Sequence, residues 1–600
     1  MSAEYDGRRD EQSPERGAQG AKELRVDTGA QFNIRNDGSL ALTAGKVMVA
    51  DGVTFVADSA EHSGLYISAY KNSTVEGKKE TGETEAGNTI DFRGKVSGVK
   101  HLEMNASNIN IEGADIAGKD IAIRSVAKGQ VEKTATNEIT TLTAAPTNTL
   151  TVKNTKVVGD QIKMIGGKVD VADDVKFRFN ADNHEAELTV AAAKSYFDDN
   201  LGSYKVATEQ GNDVSFHGTV ESGGNYRTDM GIGGAKVNLD HAKFHTPNGE
   251  LSVNAVQSSE DKADGTWEDT ATSANVVQAD GLEIVGNRND TEFWGGKVEL
   301  KNTTIKTPGE VQVYAYKTFA VKEGSIDTED MTAGADSVVQ LTNTKILNEG
   351  SDPQAYSNVW VRGGKIEMNN SELASEDEIR LTASNSLHEV RAEGHIPKEL
   401  KMEANAENTV RLSNTQLHAN QASWQPSSEA RYTPKGSIGI YGGKVDVAKD
   451  VNFKFAAGAN EANLDVAAVS NIVEKSDGNM QVSTTQGNDV VFHGTVTSDA
   501  DRDAEVNIGG AAVNLDGAKF RMPKGNLSVV AIASSEDSYT EDAGVEKETA
   551  LTKATAANVV QADGLDVEGN LHGTQIYGGR VELKNTTVKT PGKIEIEAYT

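Results

Sequence analysis

The sequence predicts an all-β fold, a parallel β-solenoid with surface loop insertions. Three observations carry this. Long blocks recur at constant spacing, a short apolar cadence recurs inside them, and the composition suits a thin core repeated many times. Internal repetition comes first because it determines architecture. Gly166-Gly167-Lys168-Val169-Asp170-Val171 returns as Gly442-Gly443-Lys444-Val445-Asp446-Val447. Phe216-His217-Gly218-Thr219-Val220 returns as Phe492-His493-Gly494-Thr495-Val496, and Ile232-Gly233-Gly234 as Ile508-Gly509-Gly510. All three shift by 276 positions, as from Gly167 to Gly443. The block Val276-Val277-Gln278-Ala279-Asp280 then recurs at Val559, 283 positions on. The added length falls in the polar stretch after Ser534-Ser535-Glu536-Asp537, where a surface insertion is easily accommodated.

The short cadence is apolar-x-apolar-x-Asn-Ser/Thr-x-apolar. It appears at Val298/Leu300/Asn302/Thr303/Ile305 and around Asn154, Asn343, Asn370, Asn414 and Asn585. Apolar residues two apart mean a strand with one buried face. The break at Asn-Ser/Thr predicts a corner, since Asn tolerates left-handed backbone and its amide can satisfy turn groups. The six asparagines are expected to stack as internal ladders from rung to rung. Gly295-Gly296, Gly363-Gly364 and Gly578-Gly579, which precede rungs, are expected to bend with positive φ. A second strand follows each corner, as at 310–315 and 378–383.

The organisation expected is a lead-in over 1–29, disordered or an artificial start, then a continuous solenoid over 30–600. Its long repeat begins near 166 and again near 442, and the second copy is truncated. Because that copy stops where the first continues, the chain reads as a segment of a longer protein, with signal and anchor outside it. Loops are expected at 71–87, 127–146, 221–229, 258–273, 348–358, 386–397 and 534–556. A short helix is expected near 191–200, where the alternation lapses.

Composition narrows the function classes. The 600 residues include 59 Gly, 10 Pro, 5% aromatics and a formal charge of −31. That charge disfavours nucleic acid and anionic lipid as partners. The absence of Cys excludes disulfides and thiolate metal sites. No apolar run approaches the roughly 20 residues of a membrane-spanning helix, so no direct membrane insertion is expected.

The cadence Gly-Gly-Lys-Val-Glu-Leu-Lys-Asn-Thr-Thr-Ile-Lys-Thr-Pro-Gly-Glu-Val-Gln-Val-Tyr-Ala at 295–315 resembles the repeats of filamentous-haemagglutinin-like large exoproteins. These are two-partner-secreted adhesins, with autotransporter-type relatives. The resemblance implies a right-handed parallel β-helix displayed extracellularly, at the bacterial cell surface. It implies attachment to host cells, matrix or other bacteria through a glycan or protein receptor, and no catalytic motif. A structural stalk or filament subunit, self-associating end to end, is the second reading. A β-helical polysaccharide lyase or hydrolase is the third.

Individual motifs support no enzyme chemistry. Phe-His-Gly at His217 and His493 has Arg93 in a related block, so imidazole is not what the position requires. Gly113 to Asp120 nearly spells a phosphate-binding loop, but Asp replaces the Mg²⁺-binding Ser/Thr and no helix is expected after it. No cofactor is expected. Loop-bound Ca²⁺ has its best composition at 258–269, where a solvated acidic loop is the simpler reading. Trp267 and Trp424, in polar surroundings, are the candidate ligand contacts. Trp294, replaced by Tyr577 in the second copy, is read as packing against the Gly-Gly bend.

Overall fold

The computed structural model describes residues 22–599 except 36, 59–60, 77, 134–137, 180–183, 200–202, 225, 263–264, 323, 325, 349–357, 393–395, 420–435, 457–461, 476–478, 500 and 543–544. The described residues form strands and turns, with no helix among them. Strands begin at Glu23, inside the stretch expected to be a lead-in. Two compact units divide the chain, Met1–Asp290 and Thr291–Thr600, and both are parallel β-solenoids.

A rung has three strands. In the first unit Lys168–Val171, Lys176–Phe179 and Ala186–Ala192 form one rung, and Asp213–Phe216, Thr219–Ser222 and Thr228–Gly234 the next. Each pairs in parallel with its counterpart: Val169 with Val214, Phe177 with Val220, Leu188 with Met230. The second unit repeats this register at Val445 with Val490, Phe453 with Val496 and Leu464 with Val506. Inward side chains are fully buried, among them Val169, Phe177, Leu188, Val445, Phe453 and Leu464. Phenylalanines stack down the interior. Phe177, Phe216 and Phe244 lie 5.6 and 5.7 Å apart, and their second-unit equivalents Phe453, Phe492 and Phe520 lie 5.5 and 5.8 Å apart. Each such contact contributes about 0.5–1.5 kcal/mol beyond area burial.

The six predicted Asn corners all have positive φ, between 44° and 51°. Their ladder lies outside the core. Asn343 Nδ2 donates to Asn302 Oδ1 at 3.0 Å, Asn370 to Asn343 at 2.5 Å and Asn414 to Asn370 at 2.7 Å, all exposed. An internal ladder is ruled out because the neighbouring Thr or Ser, not Asn, turns inward: Thr303, Thr344, Ser371 and Thr415 are buried. At Asn154 and Asn414 an Asp carboxylate, from Asp174 and Asp450, caps the corner amide at 2.7 and 2.8 Å.

The internal amides belong to a different set. Asn88, Asn148, Asn212, Asn275, Asn408, Asn488 and Asn558 are buried where the chain re-enters the solenoid. In each case Oδ1 accepts from the backbone N–H three residues earlier, as Asn488 does from Thr485 at 2.7 Å. Nδ2 donates to a carbonyl of the preceding rung, as Asn488 does to Gly443 at 2.8 Å. Gly167, Gly364, Gly443 and Gly579 sit beneath these turns with ordinary, not positive, φ. Glycine is needed there for close approach: a Cβ on Gly443 would stand 1.6 Å from the Asn405 carbonyl oxygen.

Most segments expected to be loops are β-hairpins. After the third strand of every second rung the chain leaves the solenoid. In the first unit the hairpins are Asn72–Glu76 with Lys79–Glu83, Lys128–Lys133 with Glu138–Thr143, Ser195–Asp198 with Tyr204–Ala207, and Ser258–Asp261 with Thr266–Thr270. In the second they are Thr318–Lys322 with Ile326–Thr332, Ser386–Ala392 with Ile396–Glu403, Asn471–Lys475 with Met480–Ser483, and Ser534–Asp542 with Val545–Lys553. Neighbouring hairpins pair antiparallel within each unit, as Thr141 with Phe197, Val206 with Ser259, and Lys401 with Val473. The spacing explains the alternation: two rungs rise about 9.6 Å, and two hairpin strands occupy the same distance. The segment expected to be helical, 191–200, is the end of one strand and the start of a hairpin. Its alternation lapses because Ala191, Ala193 and Tyr196 face a second apolar core, with Val126, Leu142, Ala144, Ile165 and Val206, between solenoid and hairpins. In the predicted loop 221–229, strands Thr219–Ser222 and Thr228–Gly234 occupy the ends, and most of 348–358 lies outside the described residues.

Candidate functional site

An open depression in the first unit lies on the outer side of the third strands. Registers align Gln161, Glu187, Asp229 and Glu250 in one outward row, and Lys163, Thr189, Gly231 and Ser252 in the next. These strands frame a depression of about 400 Å³ lined by Gln161, Glu187, Thr189, Asp229, Glu250 and Ser252, among others. The alternation that buries Leu188, Met230 and Leu251 inward is what turns these polar side chains out.

Its electrostatics are lopsided. Arg227 pairs with Asp229 and, at 2.5 Å, with Glu250. Burial nonetheless raises both carboxyls above the usual range, against the pull of Arg227. Asp290 is pushed up to about 6 by burial and then by the charge of Glu250. Lys163 lies 3.7 Å from Glu187 and 3.4 Å from Asp198, on the hairpin above.

The second copy of the repeat serves as an internal comparison. At the 276-residue shift Glu187 becomes Asn463, Thr189 becomes Asp465, Gly231 becomes Asn507 and Glu250 becomes Asn526. Asn507 Nδ2 donates to Asp465 Oδ1 at 3.0 Å, so an amide stands where the first copy has bare glycine. Sequence reasoning missed this surface, although comparison of outward third-strand positions between copies would have marked it.

The residues singled out from sequence do not converge on it as a set. The six corner asparagines are structural. Trp267 lies half-buried in hairpin strand Thr266–Thr270, where Nε1 donates to Ser259 Oγ at 2.9 Å. Trp424 lies outside the described residues. Trp294 stacks on Tyr314 at 6.1 Å and meets Phe319 edge-on at 5.2 Å, a packing role. His217 Nδ1 lies 2.7 Å from the Asp240 carbonyl oxygen, consistent with an outward strand residue at a corner. Strand Asp115–Ser125 runs through the near-phosphate loop and no helix follows it. In the acidic stretch at 258–269 Lys262 pairs with Glu268. Among the described residues no three His, Asp or Glu side chains are placed to hold a metal ion.

The second unit carries a buried ionic cluster under its hairpins. Arg362, on strand Asn358–Gly363, is 0% exposed, between the rings of Tyr314 and Trp360 at 5.0 Å each. It pairs with Glu329 and, at 3.0 Å, with Glu389, both on hairpins. Arg380 reaches Glu389 at 3.1 Å, and Arg391 pairs with it too while covering Trp360 at 4.4 Å. Burial by itself would raise the Glu389 carboxyl; Arg362, Arg391 and Arg380 outweigh that and hold it well below the usual range. The cluster ties hairpins to solenoid, with Arg362 and Glu389 both buried. Compared with protein-family models, with curated proteins and with solved structures, the chain matches none.

Proposed function

We propose that this chain is a non-catalytic attachment scaffold of the bacterial cell surface, in which the solenoid holds a broad presenting surface toward a glycan or protein receptor. The observation that supports this most is the pattern of change between the two copies of the repeat. Inward residues are kept or exchanged for another apolar residue: Leu188/Leu464, Val190/Val466, Ile232/Ile508, Leu251/Leu527 and Val253/Val529 are identical, and Met230 becomes Val506. Several outward residues on the same strands differ, as at Glu187/Asn463, Gly231/Asn507 and Glu250/Asn526, while Ser252/Ser528 is kept. The core tolerates only what packs, whereas the outward face is free to diversify for contact. The resemblance of 295–315 to exported adhesin repeats supports the extracellular setting.

The test is retention of the purified chain on immobilised host and bacterial glycans and matrix proteins, with mass spectrometry of the glycans afterwards. Retention with intact glycans is expected. Shortened products would replace this reading with a carbohydrate-active enzyme. No retention on any surface would favour a stalk that presents another domain.

A further inference from the structure

We propose that the first unit contains a slot for a basic side chain, lysine or arginine, of a partner protein, between its third strands and the inner face of its hairpins. This deepens the attachment reading and rests on it for the partner's setting, while the slot itself is tested separately.

The roof follows from hairpin register. Asp198 pairs with Tyr204, and Asp261 with Trp267. Val206 pairs with Ser259, which sets Tyr204 beside Asp261 two residues further out. Val206, Ser259 and Asp269 are buried against the solenoid, so the residues two positions away face the same way. The bond from Trp267 Nε1 to Ser259 Oγ lays the indole along this inner face, and Tyr204 meets buried Tyr196 edge-on at 5.6 Å. The roof is therefore a row alternating acid and aromatic: Asp198, Tyr204, Asp261, Trp267.

The floor is the outward row Lys163, Thr189, Gly231 and Ser252, and the contact of Lys163 with Asp198 at 3.4 Å ties roof to floor at one end. Further along, Gly231 leaves space. A Cβ there would find no heavy atom within 4 Å, and one on Gly233 only the Asn254 carbonyl oxygen at 3.7 Å. The charge lining this opening comes from Glu185, Glu187, Asp229 and Glu250, with Asp290 beside Glu250 and Asp198 on the roof, against the cations Lys163 and Arg227.

Carboxylates with aromatic faces recognise an organic cation, since the ammonium or guanidinium meets charge while its stem packs on the rings. The gap that Gly231 leaves in the floor admits an unbranched stem. The excess of negative charge disfavours acidic glycans and acidic peptides. The second copy has Met480 in place of Tyr204 and Asn507 in place of Gly231, so the slot belongs to the first copy alone.

The experiment follows Trp fluorescence and calorimetry of the full chain titrated with a short lysine peptide, the same peptide Nε-acetylated, an arginine peptide and glucosamine. The amine peptide is expected to bind at least about tenfold more tightly than the acetylated one. Gly231→Asn imports a residue that the same fold carries at position 507 and leaves every charge in place. It is expected to abolish binding with the circular dichroism and melting curve unchanged, and Trp267→Ser to weaken binding and remove the fluorescence change. Equal binding of both lysine peptides, no binding at millimolar concentration, or full binding by Gly231→Asn would overturn the slot. Glucosamine binding as tightly as lysine would overturn the protein partner. Panel retention that survives Gly231→Asn would leave the attachment reading standing while removing this site from it.

Discussion

At the scale of single residues, two kinds of asparagine do opposite work with the same amide. The exposed corner residue spends its backbone freedom: positive φ is cheap for Asn, and its side chain joins a ladder that water can replace. The buried residue closes a re-entry turn with one oxygen and one N–H₂ group that no water reaches. Removing a partner from buried backbone costs the desolvation of what remains, about 1–3 kcal/mol per group, whereas exposed polar contacts cost less. Asn488→Ala strands the Thr485 N–H and the Gly443 carbonyl. It is expected to destabilise the chain by a few kcal/mol in denaturant unfolding, while Asn414→Gly, which keeps the left-handed backbone unstrained and removes only the exposed amide, changes stability by less than about 1 kcal/mol. Equal effects would mean that the buried amides are not what anchors the re-entry.

At the scale of elements, the decisive relation is that one hairpin is as wide as two rungs are high. Deleting residues 408–487 removes one whole period and joins two equivalent turns, Asn405-x-x with Asn488, so a folded chain with a single cooperative melt is expected. Deleting only 471–483 strips strand Ile396–Glu403 of its neighbour Asn471–Lys475 and leaves two open strand edges. That variant is expected to melt several degrees lower and to aggregate, because unpaired edges recruit other chains. Comparable melts for both deletions, read by calorimetry and light scattering, would remove the spacing argument. The same elements show what a sequence reveals. Solenoid strands were legible because one buried face leaves a period of two, and the corners because Asn marks left-handed backbone. The hairpins were not, because residues such as Ala191, Tyr196 and Glu389 pack against a second layer and break the alternation. The depression around Gly231 was hidden for a related reason: its residues are unremarkable singly and differ only when the two copies are set side by side.

At the scale of the whole molecule, the charge of −31 and the buried carboxyls make stability depend on pH with two limbs of opposite slope. Asp377, 6% exposed, is pushed up to about 7 by burial and then by Glu378 and Glu310, far above the roughly 3.9 of an unfolded Asp. Between these values the folded chain holds a proton that the unfolded chain releases, so stability falls as pH rises from about 4 to 7. Asp290, at about 6 when folded, adds to the same limb. Glu389 runs the other way. Its folded value lies well below the roughly 4.3 of an unfolded Glu, so its contribution is present above that value and is lost as pH falls below it. Repulsion among the surface carboxylates steepens the upper limb. The expected result is a melting temperature that peaks between about pH 4 and 5 and declines toward pH 8. Asp377→Asn, which keeps the shape and removes the ionisation, is expected to raise stability most at pH 8, about a third as much at pH 5, and hardly at all at pH 4. Glu389→Gln is expected to lower it at pH 8 and pH 5, since it leaves Arg362 short of a counter-charge inside the fold. A melting temperature that climbs steadily from pH 5 to 8, unaltered by Asp377→Asn, would show that this carboxyl is ionised where it lies, and that the solenoid bears its buried charge without loss of stability.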